Sequence, residues 1–202
     1  MTPVLQAGGI IKRFGPIEVL HGVDFDLTAG QIHALIGENG AGKSTMMKIL
    51  GGYLSPSEGQ LMLDGVPVQF KSQKEAEAAG ILMIHQEFNL ALQLTVEENI
   101  FLGREKRSGL FLKHSEMRDE ARDLLARLDC HVDPRTRVGD LSVSDRQMVE
   151  IARALGRNAR VLIMDEPTAV LTNPETDILL DQIVQLRNAG TAVLYTSHKL
   201  DE

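Results

Sequence analysis

Eight residues, Gly37-Glu38-Asn39-Gly40-Ala41-Gly42-Lys43-Ser44, constrain this chain more than any other segment. Two glycines five positions apart, followed by Lys and Ser, fit the phosphate-loop pattern. The run lies between an apolar segment, Ile32 to Ile36, and a helix-type segment from Ser44, whose Met46, Met47, Ile49 and Leu50 precede a stop at Gly51-Gly52. A strand that feeds a tight glycine loop and then opens a helix turns successive backbone N–H groups, and the positive end of the helix, toward one point. That point suits a phosphate. Lys43 is then placed to neutralise β- and γ-phosphates, and Ser44 to offer a hydroxyl to Mg²⁺, a hard ion that takes few protein ligands. Gly37, Glu38, Asn39, Gly40, Ala41, Gly42, Lys43, Ser44 and Thr45 form the expected nucleotide cradle, with the phosphates of a nucleotide and Mg²⁺ as its ligands.

The rest of the chain supplies a sheet for that loop. Val19 to Leu27 alternates in type, Gln60 to Leu63 is a short apolar run bounded by glycines, and with Ile32 to Ile36 these read as hairpin-connected strands. Ile81 to His85 is a candidate buried strand. Glu97 to Leu102 and Ser115 to Leu128 read as helices flanking a basic turn, Arg104 to Gly109. In the second of them Ser115 is the expected N-cap, with Met117, Ala121, Leu124, Leu125 and Leu128 on one face. From about Arg146 the pattern returns to helix, strand (Val161 to Met164), helix (Pro174 to Asn188) and strand (Ala192 to Thr196), which implies a parallel sheet. The fold class is thus α/β, a phosphate-loop core of residues 1–86 and 157–202 interrupted by a helical subdomain, 87–156.

At the end of the Val161 to Met164 run stand two acids, Asp165 and Glu166, where a parallel strand delivers side chains to the ligand edge of an open α/β sheet. Asp165 is expected to bind Mg²⁺ through water, and Glu166 to polarise the attacking water as general base or as its orienter. The 202 residues hold 21 Lys+Arg against 28 Asp+Glu, so the net charge of −7 speaks against a nucleic-acid surface. One cysteine, Cys130, excludes an internal disulfide, and the absence of a leader or of an apolar run near the ~20 residues of a membrane span sets the cytoplasm as the default compartment.

Five elements in order carry a resemblance: the phosphate loop, Gln86, the run Leu141-Ser142-Val143-Ser144-Asp145-Arg146-Gln147, the acidic strand end and His198. Together they resemble the ATP-binding-cassette (ABC) ATPases, with a mixed or antiparallel β subdomain, a mainly parallel core sheet and an α-helical subdomain. The wording Ile84-His85-Gln86-Glu87-Phe88-Asn89-Leu90, Gln147-Met148-Val149-Glu150-Ile151-Ala152 and Ser197-His198-Lys199-Leu200 is similar to bacterial sugar-importer ATPases of the ribose, xylose and galactoside type, in their N-terminal nucleotide-binding domain. The resemblance implies that Phe14 stacks on adenine, that Gln86 senses γ-phosphate and metal, and that His198 contacts γ-phosphate. It implies Lys43, Gln86, Glu166 and His198 as catalytic residues, Ser44, Gln86 and Asp165 as metal ligands, and Ser142 as a ligand to nucleotide held by an opposing domain.

Two segments depart from the family. Its common signature is Leu-Ser-Gly-Gly-Gln, where this chain has Val143, Ser144 and Asp145 at the last three places, and Thr172 stands where the family often has aspartate. A side chain at 144 and a charge at 145 are expected to weaken the site this segment serves. The chain stops at Glu202, soon after His198, and reads as an N-terminal fragment whose isolated hydrolysis is weak. The implied partners are membrane permease subunits, gripped through Phe88 to Leu94 and the helix after it, a second nucleotide-binding domain, fused or dimeric, and indirectly a solute-binding protein, with no nucleic acid. The implied place is the cytoplasmic face of the inner membrane, held peripherally. A nucleotide-binding regulatory module that does not hydrolyse, and a soluble nucleic-acid-associated ABC ATPase, are the alternative readings.

Overall fold

The computed structural model describes residues 3–38, 40–85, 89–109, 111–157 and 159–196, so Asn39, Gln86 and His198 lie outside the described residues. The chain divides into two compact units. One comprises Met1–Ile84, Ala159–Pro167 and Ile183–Glu202, the other His85–Asn158 and Thr168–Gln182.

The first unit holds two four-stranded sheets. Strands β1 (Pro3–Phe14), β2 (Ile17–Thr28), β4 (Glu58–Leu63) and β5 (Val66–Val68) form an antiparallel sheet in the order β2-β1-β4-β5. The alternation expected of Val19 to Leu27 changes phase partway along. Leu20 is buried before Gly22, while Val23, Phe25 and Leu27 face inward after it, and Gly22 itself has φ +77°, which lets the strand slip by one residue.

Strands β3 (Ile32–Leu35), β6 (Ile81–Ile84), β9 (Val161–Met164) and β10 (Ala192–Thr196) form a parallel sheet in the order β3-β10-β9-β6. β3 therefore does not form a hairpin with the antiparallel strands as its neighbours in sequence suggest. It pairs with Val193–Thr196, far along the chain, which no local turn signal encodes. All four residues of β9 and all five of β10 are buried, the continuous apolar pattern of parallel strands covered on both faces. Helix α1 (Lys43–Leu50) buries Met46, Met47, Ile49 and Leu50, and these join Leu5, Leu27, Ile81, Ile163 and Leu194 in one core. The core thereby anchors the helix that the glycine loop opens. A short helix, α2 (Gln73–Ala78), capped by Ser72, precedes β6.

The second unit contains α3 (Val96–Phe101), a two-residue hairpin of β7 (Arg107–Ser108) and β8 (Phe111–Leu112), α4 (His114–Ala126), α5 (Val143–Leu155) and the start of α6 (Asn173–Asn188). Thr95 and Glu98 form a capping box that starts α3. The face expected of α4 is the buried one, with Met117, Ala121, Leu124, Leu125 and Leu128 all inside. Its cap differs from expectation: β8 ends at Leu112, so helix begins at His114, Lys113 occupies the N-cap, and Ser115 is already within the first turn. α5 starts three residues before Arg146, because the Ser142 hydroxyl accepts the N–H of Asp145 at 3.1 Å and draws Val143-Ser144-Asp145 into the helix.

Candidate functional site

Within the first unit, the glycine loop joins β3 to α1. Gly42 occupies the N-cap of α1 with φ +86°, a conformation that aims the following N–H groups outward from the helix start. A side chain there has no room: an added Cβ would lie 2.7 Å from Leu20 Cδ2 and 3.1 Å from the Val19 carbonyl oxygen. Lys43 Nζ donates to the carbonyls of Gly37, at 2.6 Å, and Glu38, at 3.0 Å. The ammonium is thus held against the loop itself, and the loop backbone is tied from inside.

The carboxyl ends of three parallel strands meet the start of α1. Asp165, just past β9, is 6% exposed, and its backbone N–H donates to Ile84 at the end of β6 at 3.0 Å. Asp165 Oδ1 accepts the Thr196 hydroxyl at 2.8 Å and the Ser44 hydroxyl at 3.4 Å. Thr196 Oγ1 in turn accepts the N–H of Glu166 at 2.9 Å, which leaves that hydroxyl with one bond given and one received. Glu166 sits at φ +50°, a left-handed conformation uncommon for a residue other than glycine. Ser44, Asp165, Glu166 and Thr196 are thereby one constellation at the ligand edge of the sheet.

Thr196 is the member that sequence reading missed. Its only signal is position, the last residue of an apolar strand that the topology sets beside β9. The donor set fits a divalent cation of the magnesium type: one carboxylate and one hydroxyl, both hard oxygen donors, 3.4 Å apart. Among the described residues no group of three or more His, Cys, Asp or Glu gathers as a metal cage. Phe14, at the end of β1, is 46% exposed, with Lys12 Nζ 5.2 Å from its ring centroid. It is a surface aromatic, not a core residue.

In the second unit, the Ser142 hydroxyl donates to Asp145 Oδ2 at 2.7 Å while accepting the Asp145 N–H. Its single proton is thus committed to a carboxylate. The two departures from the resembled pattern meet at one side chain. Ser144 Oγ donates to Glu175 Oε1, and the N–H and hydroxyl of Thr172 donate to Glu175 Oε2 at 2.7 and 2.8 Å. These bonds, Ser144 first, hold the Glu175 carboxyl below the ordinary carboxylate range. The side chain at 144, expected to crowd a phosphate, is turned to a partner in its own chain.

The family described as ABC transporter matches residues 20–169. The chain is 52% identical over its whole length to ribose import ATP-binding protein RbsA 1 of Rubrobacter xylanophilus, of which it covers 40%. It is 53% identical, over 96% of its length, to ribose import ATP-binding protein RbsA of Chromobacterium violaceum, of which it covers 39%. The chain therefore spans about 40% of the length of the curated relatives it matches. Among solved structures, the ADP conformation of MJ1267, an ATP-binding cassette of an ABC transporter, superposes with a TM-score of 0.84 at 28% identity, covering all of this chain and 83% of that one. The dimeric, post-hydrolysis cassette MJ0796 bound to ADP and Pi superposes with a TM-score of 0.83 at 25% identity, covering 98% of this chain and 89% of that one.

Proposed function

Since this chain belongs to the ABC transporter family, we propose that it is a nucleotide-binding domain coupling MgATP binding and hydrolysis to sugar import through a membrane permease. The observation that carries the reading is the convergence of Ser44, Asp165, Thr196 and Glu166 beside a phosphate loop. Relatives whose names specify ribose, or ribose, galactose and methyl galactoside, support sugar as the cargo.

In this reading the N–H groups of Gly40 to Ser44 cradle the phosphates, and Lys43 leaves the Gly37 and Glu38 carbonyls for the β- and γ-phosphates. Ser44 and Asp165 hold Mg²⁺, which when bound neutralises charge developing on the phosphate oxygens. Glu166 takes the proton of the attacking water, and its left-handed backbone, fixed by Thr196, aims the carboxylate. The family resemblance assigns Gln86 and His198 to the γ-phosphate, Phe14 to adenine, and Glu38, Asn39, Ala41 and Thr45 to the cradle. Ser142 faces nucleotide held by a second nucleotide-binding domain. Its proton, committed to Asp145, must be withdrawn before it can meet a phosphate, so the site it serves is the weaker of the two.

Permease subunits are the partner, reached through residues 88–94 and α3, with a solute-binding protein acting through them. The import ATP-binding relatives support a peripheral place on the cytoplasmic face of the inner membrane, and none of the described helices is long and apolar enough to cross a membrane. Titration of MgATP by calorimetry tests the core of this reading. Lys43→Ala is expected to weaken binding at least tenfold, about 1.4 kcal/mol. Equal affinity in the two proteins overturns it.

A further inference from the structure

The mechanism above leaves one costly group without a task. Glu150 lies in the middle of α5 and is 5% exposed. Its Oε1 accepts the backbone N–H of Asn89 at 3.2 Å, while Oε2 is buried with no hydrogen-bond partner among the described residues. One turn further along α5, Arg153 Nη1 donates to the carbonyl of Asn89 at 2.8 Å. The helix therefore grips residue 89 at both of its backbone polar groups, one with an acceptor and one with a donor. Two residues later the grip is neutral: Asn99, fully buried, accepts the N–H of Ala91 at 2.8 Å and donates to its carbonyl at 3.0 Å.

A glutamine at 150 would make the same bond to Asn89 without bringing a titratable group inside. Burying a carboxylate with one oxygen unsatisfied is expensive, and such groups are kept where charge or its loss has a use. When Glu150 is protonated, its carbonyl oxygen still accepts from Asn89 and no charge is buried. When it ionises, the charge can regain water only if the segment at Asn89 lets go. α5 packs against α3 and α4, and the charges there are engaged elsewhere. Glu97 is held by Arg118 at 2.8 and 3.1 Å, with His114 at 3.9 Å; Glu98 accepts from Thr95; and Glu120 pairs with Lys106. Arg153 is the charge that acts on Glu150. Burial outweighs it and the Asn89 N–H, pushing the Glu150 pKa up to about 7.

We propose that Glu150 and Arg153 are positioning residues that clamp the backbone of Asn89, three residues after Gln86, and that ionisation of Glu150 releases the clamp. The functional half of this rests on the reading of Gln86 as the residue that senses γ-phosphate. The clamp conveys the state of the α5 helix, opened by the signature segment, to the chain that carries Gln86. As pH rises through 7 that link is lost.

Amide hydrogen exchange on the intact protein, from pH 6 to 8.5 and corrected for base catalysis, tests the clamp, with Ala91 as an internal standard held by neutral Asn99. Protection of Asn89 relative to Ala91 is expected to fall about tenfold per pH unit as pH rises toward 7 and to level off above it. In Glu150→Gln it is expected to stay flat. Arg153→Lys, which loses the directed guanidinium bond, is expected to lower protection of Asn89 at every pH and leave the midpoint in place. The same pH dependence in wild type and Glu150→Gln overturns the clamp.

The second readout is the ratio of MgATP to MgADP affinity, which a merely structural role would not move. It is expected to fall at least threefold from pH 6.5 to 8.5 in wild type relative to Glu150→Gln. An unchanged ratio alongside the expected exchange result overturns the link to nucleotide. Failure of Lys43→Ala to weaken MgATP binding would instead strike the nucleotide site itself, leaving the exchange result as the separate test of the clamp.

Discussion

Replacing Gly42 by alanine tests whether the glycine loop is fixed by the space it occupies or only by its backbone angles. Gly40 and Gly42 have nearly the same φ, +85° and +86°, so alanine at either meets the same left-handed penalty of roughly 1–2 kcal/mol. Each also gains the same small amount, about 0.4–1 kcal/mol, from stiffening the unfolded chain. The surroundings differ. At Gly40 an added Cβ meets nothing within 4 Å, whereas at Gly42 it lies 2.7 Å from Leu20 Cδ2 and 3.1 Å from the Val19 carbonyl oxygen. Leu20 is 4% exposed and packed in the core, and the carbonyl belongs to strand β2, so neither yields freely. Overpacking of that kind costs about 1–3 kcal/mol, and this is the expected excess of Gly42→Ala over Gly40→Ala in urea unfolding. Calorimetry on the same two proteins should show MgATP binding weakened more by the change at 42. If the two variants lose stability equally, within about 0.5 kcal/mol, the contact of the loop with β2 does not position it and the reasoning fails.

Thr196→Val keeps the shape of the residue but leaves the Glu166 N–H without its acceptor and Asp165 without its 2.8 Å donor. A loss of about 1–3 kcal/mol of stability is expected, with weaker MgATP binding, read by thermal melting and calorimetry. Glu150 gives stability a definite slope with pH. Its pKa in the folded protein, about 7, stands above the ordinary 4.5, so its contribution is complete below pH 4.5 and is lost as pH rises through 7. Between pH 5 and 8.5 urea unfolding should therefore show wild type losing on the order of 1–3 kcal/mol more than Glu150→Gln.

The parts of the site that were legible in the sequence are those encoded locally. Gly37 to Ser44 specify their own turn, and Asp165-Glu166 announce a strand end because four apolar residues precede them. What escaped was set by distant pairing. Ile32–Leu35 looks like a hairpin strand until β10 is available to pair with it, and Thr196 is an ordinary threonine until β10 lies beside β9. Glu150 escaped for a different reason. Helical periodicity marks the apolar positions of α5 and treats a glutamate among them as surface, whereas a backbone N–H from residue 89 draws it inside. Ser142 was expected as a ligand, and its capture by Asp145 shows only once the helix start is known to be at Val143.

The meeting of Ser144 and Thr172 on Glu175 bears on how such domains are recombined. A chimaera given the common Gly-Gly-Gln spelling in place of Val143-Ser144-Asp145 would strip Glu175 of one hydroxyl and Ser142 of its carboxylate, while Thr172 stayed behind. The three positions form one hydrogen-bonded unit, separated by 31 residues from Ser144 to Glu175 and closed by a single side chain. Grafting this signature into another cassette, or another into this one, calls for carrying Ser144, Thr172 and Glu175 together.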